Sequence, residues 1–148
     1  METLKEENLS DDMRLILSTA RGALKNAYAP YSGIKVGAAV MTSDGTIFRG
    51  VNVENSAYGD TICAERGAIM AAFAQGKRNI TMVAISMEPL EDVASPCGSC
   101  RQMIAEASIV SGRDIKVIMD SPDGVVVASI SELLPMAFKL NVEGKDNK

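Results

Sequence analysis

The chain has 148 residues, 47% hydrophobic and 23% charged, with 15 Lys+Arg against 19 Asp+Glu for a net charge of -4. That size supports one hydrophobic core, so a single domain over 1–148 is expected, with 1–9 and 139–148 as flexible ends. The acidic balance argues against nucleic-acid partners and anionic membranes, which need a basic face, and the absence of His excludes imidazole triads, H-E-x-x-H metalloproteases and His-based zinc fingers.

No apolar run approaches the roughly 18 residues of a membrane span. The opening METLKEENLSDD is acidic where a targeting peptide would be basic and apolar. A cytoplasmic protein acting on a small neutral molecule is the expectation.

Ser10 can cap a helix whose first turn holds Asp11 and Asp12, and Met13, Ile16, Leu17, Ala20, Leu24 and Ala27 then share one face. This helix ends before Pro30. Residues 35–41 and 46–51 read as strands joined by the hairpin turn Thr42-Ser43-Asp44-Gly45. A polar loop over 52–60 leads into a helix over 61–75, ended by Gly76, with Cys63 in its first turn. Residues 80–87 form the next strand, and Pro96 opens a third helix through Cys97, Cys100, Met103, Ile104 and Ala107. Two further strands, 115–119 and 125–129, are joined by Asp120-Ser121-Pro122-Asp123-Gly124, and a short helix follows around 132–134. The order implies an α/β protein with a mixed sheet of about five strands and helices on both faces. Met41, Met70, Met82, Met103 and Met119 fall in these elements and read as core.

Cys63, Cys97 and Cys100 are an odd count, which argues against a disulfide framework. Cys97-Gly98-Ser99-Cys100 puts two thiols on one face of a helix start, and Cys63 sits at another start, one helix and one crossover strand upstream. Adjacent parallel elements can bring both helix N-termini together, where partial positive charge favours thiolates. Three thiolates suit zinc. A closed structural site needs a fourth Cys or a His, whereas three protein ligands leave a position open, as in catalytic zinc that activates water. The alternative is a thioredoxin-like redox pair at Cys97 and Cys100, with Cys63 a buried thiol. Glu65 either serves its helix dipole or moves protons beside a metal. Arg66 is either a surface residue or a donor to the sulfurs, offsetting the net negative charge of a divalent ion among three thiolates.

Cys63-Ala64-Glu65-Arg66 followed by Pro96-Cys97-Gly98-Ser99-Cys100-Arg101-Gln102 resembles the zinc-dependent cytidine deaminases, in their small form with three Cys ligands. The likeness continues through Tyr31-Ser32, Val36-Gly37-Ala38-Ala39, Gly50-Val51-Asn52-Val53-Glu54-Asn55, Tyr58-Gly59 and Glu132-Leu133-Leu134-Pro135. It implies a three-layer α/β/α sandwich and one Zn2+ per subunit, held by Cys63, Cys97 and Cys100. It also implies Glu65 as general acid and base, Asn52 and Glu54 on the ribose hydroxyls, and backbone around Cys63 and Ala64 orienting the base. An isolated N-x-E would more simply be a polar loop with Asx-type turns. The resemblance further implies a homotetramer with shared active sites, in which Phe138 either reaches a neighbour's substrate or packs on its own subunit. The implied reaction converts cytidine and 2'-deoxycytidine to uridine and 2'-deoxyuridine with release of ammonia, a step of pyrimidine salvage.

Two positions depart from the family pattern. Where an aromatic usually packs on the pyrimidine, this chain reads Gly33-Ile34, and Ile34 offers apolar contact without an aromatic face. Asp60 places a charge where an uncharged residue is usual, either tuning the pocket or capping the following helix. Ile34 gives grounds for a sister activity on a modified cytosine nucleoside or a nucleoside antibiotic such as blasticidin S. The rival of another class is a non-catalytic zinc-binding or redox interaction protein.

Overall fold

The computed structural model describes residues 1–140. In chain order the elements are β1 (Glu2–Leu4), α1 (Asp11–Ala23), β2 (Lys35–Thr42), β3 (Ile47–Val51), α2 (Ala64–Ala74), β4 (Ile80–Glu88), α3 (Gly98–Ser111), β5 (Lys116–Ser121), β6 (Gly124–Ser129) and α4 (Ile130–Leu133). The strands form one mixed sheet in the order β1-β6-β5-β4-β2-β3. Ser10 caps α1 as its residue type demands, its Oγ accepting from the Met13 N–H at 3.2 Å. The β2–β3 hairpin turns where Gly45 takes a φ of 84°, a conformation that suits glycine.

Strand β2 runs antiparallel to β3 and to β4, while β4 runs parallel to β5. Consequently β3, β4 and β5 all point one way, and the crossovers through α2 and α3 leave from the same end of the sheet. Period-two alternation separates the two cores. Val40, Val83, Ile85, Val117 and Met119 pack with Ala68 and Ile69 of α2 and Ile104 and Ala107 of α3. Ala39, Met41, Ala84 and Ile118 face the opposite side, against Ile16, Leu17 and Ala20 of α1. The result is the α/β/α sandwich that the resemblance implies. No helix among the described residues is long and apolar enough to cross a membrane.

Several expectations are corrected. The sheet has six strands instead of about five, because β1 pairs antiparallel with β6 through Glu2 opposite Val127 and Leu4 opposite Val125. For the same reason residues 1–9 are no flexible end: Leu9 is 4% exposed within the α1-side core, and Glu6 pairs with Arg21 at 2.8 Å. Three strand residues are too few to show a period, but the outer edge of β6 offers unpaired backbone groups, and Leu4 and Leu9 complete an apolar face. Lys139 and Leu140 lie outside regular structure, and the remainder of the expected flexible C-terminal end, 141–148, lies outside the described residues. Helix α2 begins later than 61, with Cys63 as its extended cap residue, so Asp60 does not cap it. Met70 is exposed, against the core reading for that residue.

Close backbone approach fixes where α2 begins. A Cβ at Gly50 of β3 would collide with the Ala64 carbonyl oxygen and lie 2.5 Å from the Ala68 N, so only glycine lets the first turn of α2 lie on this strand. Gly37 plays the same part for α1, where a Cβ would collide with the Ala20 carbonyl.

On the α1 side, Asp120 of β5 is buried and accepts from Arg21 Nε and Nη2 at 2.8 and 2.9 Å and from Ser86 Oγ at 2.8 Å. Burial alone raises the Asp120 pKa, but the hydrogen bonds from Arg21 and Ser86 outweigh it and hold it below the ordinary carboxylate value. The same pairing raises the Arg21 pKa.

Gly50→Ala is expected to destabilise the protein by about 1–3 kcal/mol through overpacking, read as a lower denaturant midpoint. Because the folded pKa of Asp120 is depressed, the pair's stabilisation is present above its ordinary value and is lost as pH falls through the folded one. Asp120→Asn is therefore expected to cost about 1–3 kcal/mol at pH 7 and to flatten the acid limb of stability. Equal losses for wild type and variant between pH 6 and about pH 3 would contradict this.

Candidate active site

Cys63 and Cys97 occupy the cap positions of α2 and α3, with extended backbone at both, and Cys100 lies one turn into α3. Neither cap side chain is spent on its own helix, which leaves the sulfurs free to converge. All three Sγ atoms lie within 4.8 Å of one another. The donors suit a soft divalent ion such as zinc, and one ion can reach all three. Cys100 is buried, Cys63 half-buried and Cys97 exposed, so the cluster opens to one side.

The electrostatics favour thiolate at this point. The Cys63 pKa falls to about 5, through a hydrogen bond with Cys100 and, against the cost of burial, the Arg66 guanidinium. The Cys100 pKa is raised, because its proton is held in the bond to Cys63 and its surroundings are dry. Arg66 Nη2 donates to the Thr61 carbonyl at 3.0 Å and lies 3.7 Å from Cys63 Sγ. Its Nε is buried with no acceptor among the described residues, which leaves a donor beside the sulfur cluster.

Glu65, in the first turn of α2, is 4% exposed. Burial is the main reason that its pKa is raised, and the neighbouring Cys63 charge adds to it. A cavity of about 210 Å³ joins this carboxylate to the cysteines. It is lined by Cys63, Ala64, Glu65, Cys97, Cys100 and Asn52, with Val36, Ile85, Met87 and Ala94 as apolar walls and Thr61 and Ser95 as further polar groups. A larger, open groove lies at the far end of α3, lined by Ile109, Arg113 and Leu134 among others, and contains no cysteine.

The remaining residues singled out from sequence fall around this cavity. Asn52 is buried; its Oδ1 accepts from the Val36 N–H at 2.9 Å and its Nδ2 donates to the Ile34 carbonyl at 2.8 Å. Glu54 is half-buried and does not line the cavity; its Oε1 accepts from the Tyr31 and Ser32 N–H groups at 2.9 and 3.0 Å. Hydrogen bonds from Ser32 and Tyr31 hold its pKa below the ordinary value. The Ile34 side chain is 45% exposed and stands outside the cavity, where Val36 supplies the apolar wall of that segment. Phe138 also stands outside it, 69% exposed, with its carbonyl accepting from Gln102 Nε2 at 2.9 Å. Sequence reasoning missed Val36, Ile85, Met87, Ala94 and Ser95 as cavity residues. The first three read as ordinary core strand residues, and only the position of Ala94 and Ser95 just before Pro96-Cys97 signals the other two.

A family model described as the cytidine and deoxycytidylate deaminase zinc-binding region matches residues 10–112. The cytidine deaminase of Halalkalibacterium halodurans is 40% identical over 128 residues, covering 86% of this chain and 94% of that protein. That of Sporosarcina psychrophila is 39% identical, covering 86% and 91%. The crystal structure of cytidine deaminase from Burkholderia pseudomallei superposes with a TM-score of 0.78 at 38% identity, covering 88% of this chain and all (100%) of that one. The Mycobacterium tuberculosis cytidine deaminase gives a TM-score of 0.73 at 33% identity, covering 88% and 100%. A zinc-type cysteine cluster, a buried carboxylate in the same cavity and these matches together place the chain in the cytidine and deoxycytidylate deaminase family of zinc-binding proteins.

Proposed function

We propose that the chain catalyses hydrolytic deamination of cytidine and 2'-deoxycytidine, releasing ammonia and uridine or 2'-deoxyuridine in pyrimidine salvage. One observation carries this reading: the Glu65 carboxylate and the three cysteines share a cavity of about 210 Å³. Cys63, Cys97 and Cys100 hold the zinc, which when bound supplies a Lewis acid that activates water. Glu65 takes the proton of the attacking water as oxygen bonds to C4 of the ring, and passes it to N3. It then relays the proton of the new hydroxyl to the amino group, and ammonia leaves as the C4 carbonyl forms. Burial raises the carboxylate's pKa and so favours its taking up a proton during the cycle. Arg66 donates toward Cys63 Sγ and offsets the negative charge of the thiolates.

Asn52, Glu54 and the Ala64 backbone meet the nucleoside, and Ile34 provides apolar contact at the outer edge of the site. The exposed Phe138 reaches a neighbouring subunit's site in a homotetramer. A cytoplasmic setting agrees with three reduced thiols at the cluster. A second reading, deamination of a modified cytosine nucleoside or of an antibiotic such as blasticidin S, is favoured by one feature: the described residues that line the cavity include no aromatic.

Cytidine incubated with the zinc-loaded protein is expected to give the uridine absorbance spectrum with equimolar ammonia. Glu65→Gln is expected to keep its zinc and to lose about 10²–10⁴-fold in kcat. A folded, zinc-loaded wild type without turnover would move the search to modified cytosines, and a Glu65→Gln variant as active as wild type would remove the proton relay. Arg66→Ala should lower kcat/KM by about 10–100-fold while retaining most of the metal; parallel losses of zinc and activity would make Arg66 structural.

A further inference from the structure

Arg101 and Gln102 close the cysteine motif, yet neither has a part in the chemistry above. We propose that Arg101 is a positioning residue that sets the cavity rim at Ser95 and Pro96 and ties it to the C-terminal segment. The proposal rests on the deaminase reading and adds a residue to it.

The guanidinium serves three acceptors. Nε donates to the Pro96 carbonyl at 2.8 Å, Nη2 to Ser95 Oγ at 2.9 Å, and Nη1 to the Leu133 carbonyl of α4 at 2.8 Å. A planar fork with fixed donor directions holds these acceptors in one arrangement, which a single ammonium cannot reproduce. Pro96 is buried and directly precedes Cys97, so the bond to its carbonyl also sets the approach to the cluster. From the other side, the Ala94 N–H donates to the Asp120 carbonyl at 2.8 Å. Ser95 is thus held between two anchored neighbours and lines the cavity. Because Ser95 Oγ accepts from Arg101, its own hydroxyl proton remains to donate. Gln102 adds a second tie from the same turn of α3, to the Phe138 carbonyl.

The test compares wild type, Arg101→Lys, Ser95→Ala and the double variant in zinc content, thermal midpoint and cytidine kinetics. Arg101→Lys is expected to keep its zinc, to raise KM about tenfold or more, and to change kcat by less than about threefold. Ser95→Ala, at an exposed position, is expected to raise KM by a smaller factor, and the double variant to be little worse than Arg101→Lys alone, since the two act as one unit. Wild-type KM in Arg101→Lys, loss of its zinc, or independent factors in the double variant would overturn the proposal. A wild type that does not turn over cytidine would instead fail the cytidine reading. The brace would then be judged by amide exchange at Ala94 and Ser95, faster in Arg101→Lys if it holds and unchanged if it does not.

Discussion

Everything in this protein depends on two helix N-termini meeting at one end of the sheet. Strands β3, β4 and β5 run the same way, so α2 and α3 both start at that end and on the same face. Three sulfurs then fall within 4.8 Å of one another although Cys63 and the Cys97 pair are far apart in the chain. Concentrating thiolates is costly unless positive charge faces them. The N-terminal dipoles of both helices and the Arg66 guanidinium meet that demand. Gly50 makes the arrangement possible from beneath, since any side chain there would push the first turn of α2, with Cys63 and Glu65, off the sheet.

The walls of the cavity are held by hydrogen bonds to neighbouring segments. Asn52 donates to the Ile34 carbonyl and accepts from the Val36 N–H, and Glu54 accepts from the Tyr31 and Ser32 N–H groups, which fixes the segment that brings Val36 to the cavity. An amide has two N–H donors and an oxygen with two lone pairs, and a carboxylate has two oxygens. Both residues therefore retain capacity for a ligand while serving this segment. The opposite wall, at Ala94 and Ser95, is held by the Asp120 carbonyl and by Arg101. Asp120 itself is fixed by Arg21 and Ser86 on the far face of the sheet, which links α1 packing to the cavity through a single strand.

Much was legible in the sequence because it is encoded locally. Ser10 with Asp11 and Asp12 marked the start of α1, the Thr42–Gly45 turn marked a hairpin, and alternating apolar runs marked the central strands. The cysteine spacing and the adjacent Glu65 and Arg66 point to the cysteine cluster and its neighbours. Strand β1 was not legible, because its pairing is with the distant β6 and its three residues are too few to show a period. The start of α2 is not legible either, because Thr61 and Ile62 are compatible with a helix, whereas Ile62 instead pairs with Val53.

By itself, then, the sequence determined which reactive groups are available: three thiols, one carboxylate beside them, one guanidinium and no imidazole. These follow from residue type and short-range spacing, which no folding can change. Only the tertiary structure decided which groups share the cavity. Val36, Ile85, Met87 and Ser95 join it, while the side chains of Ile34, Glu54 and Phe138 stand outside. The reason is physical: a strand residue's face depends on sheet register, and a loop residue's direction on its hydrogen-bond partners. Both are set by contacts between segments distant in the chain.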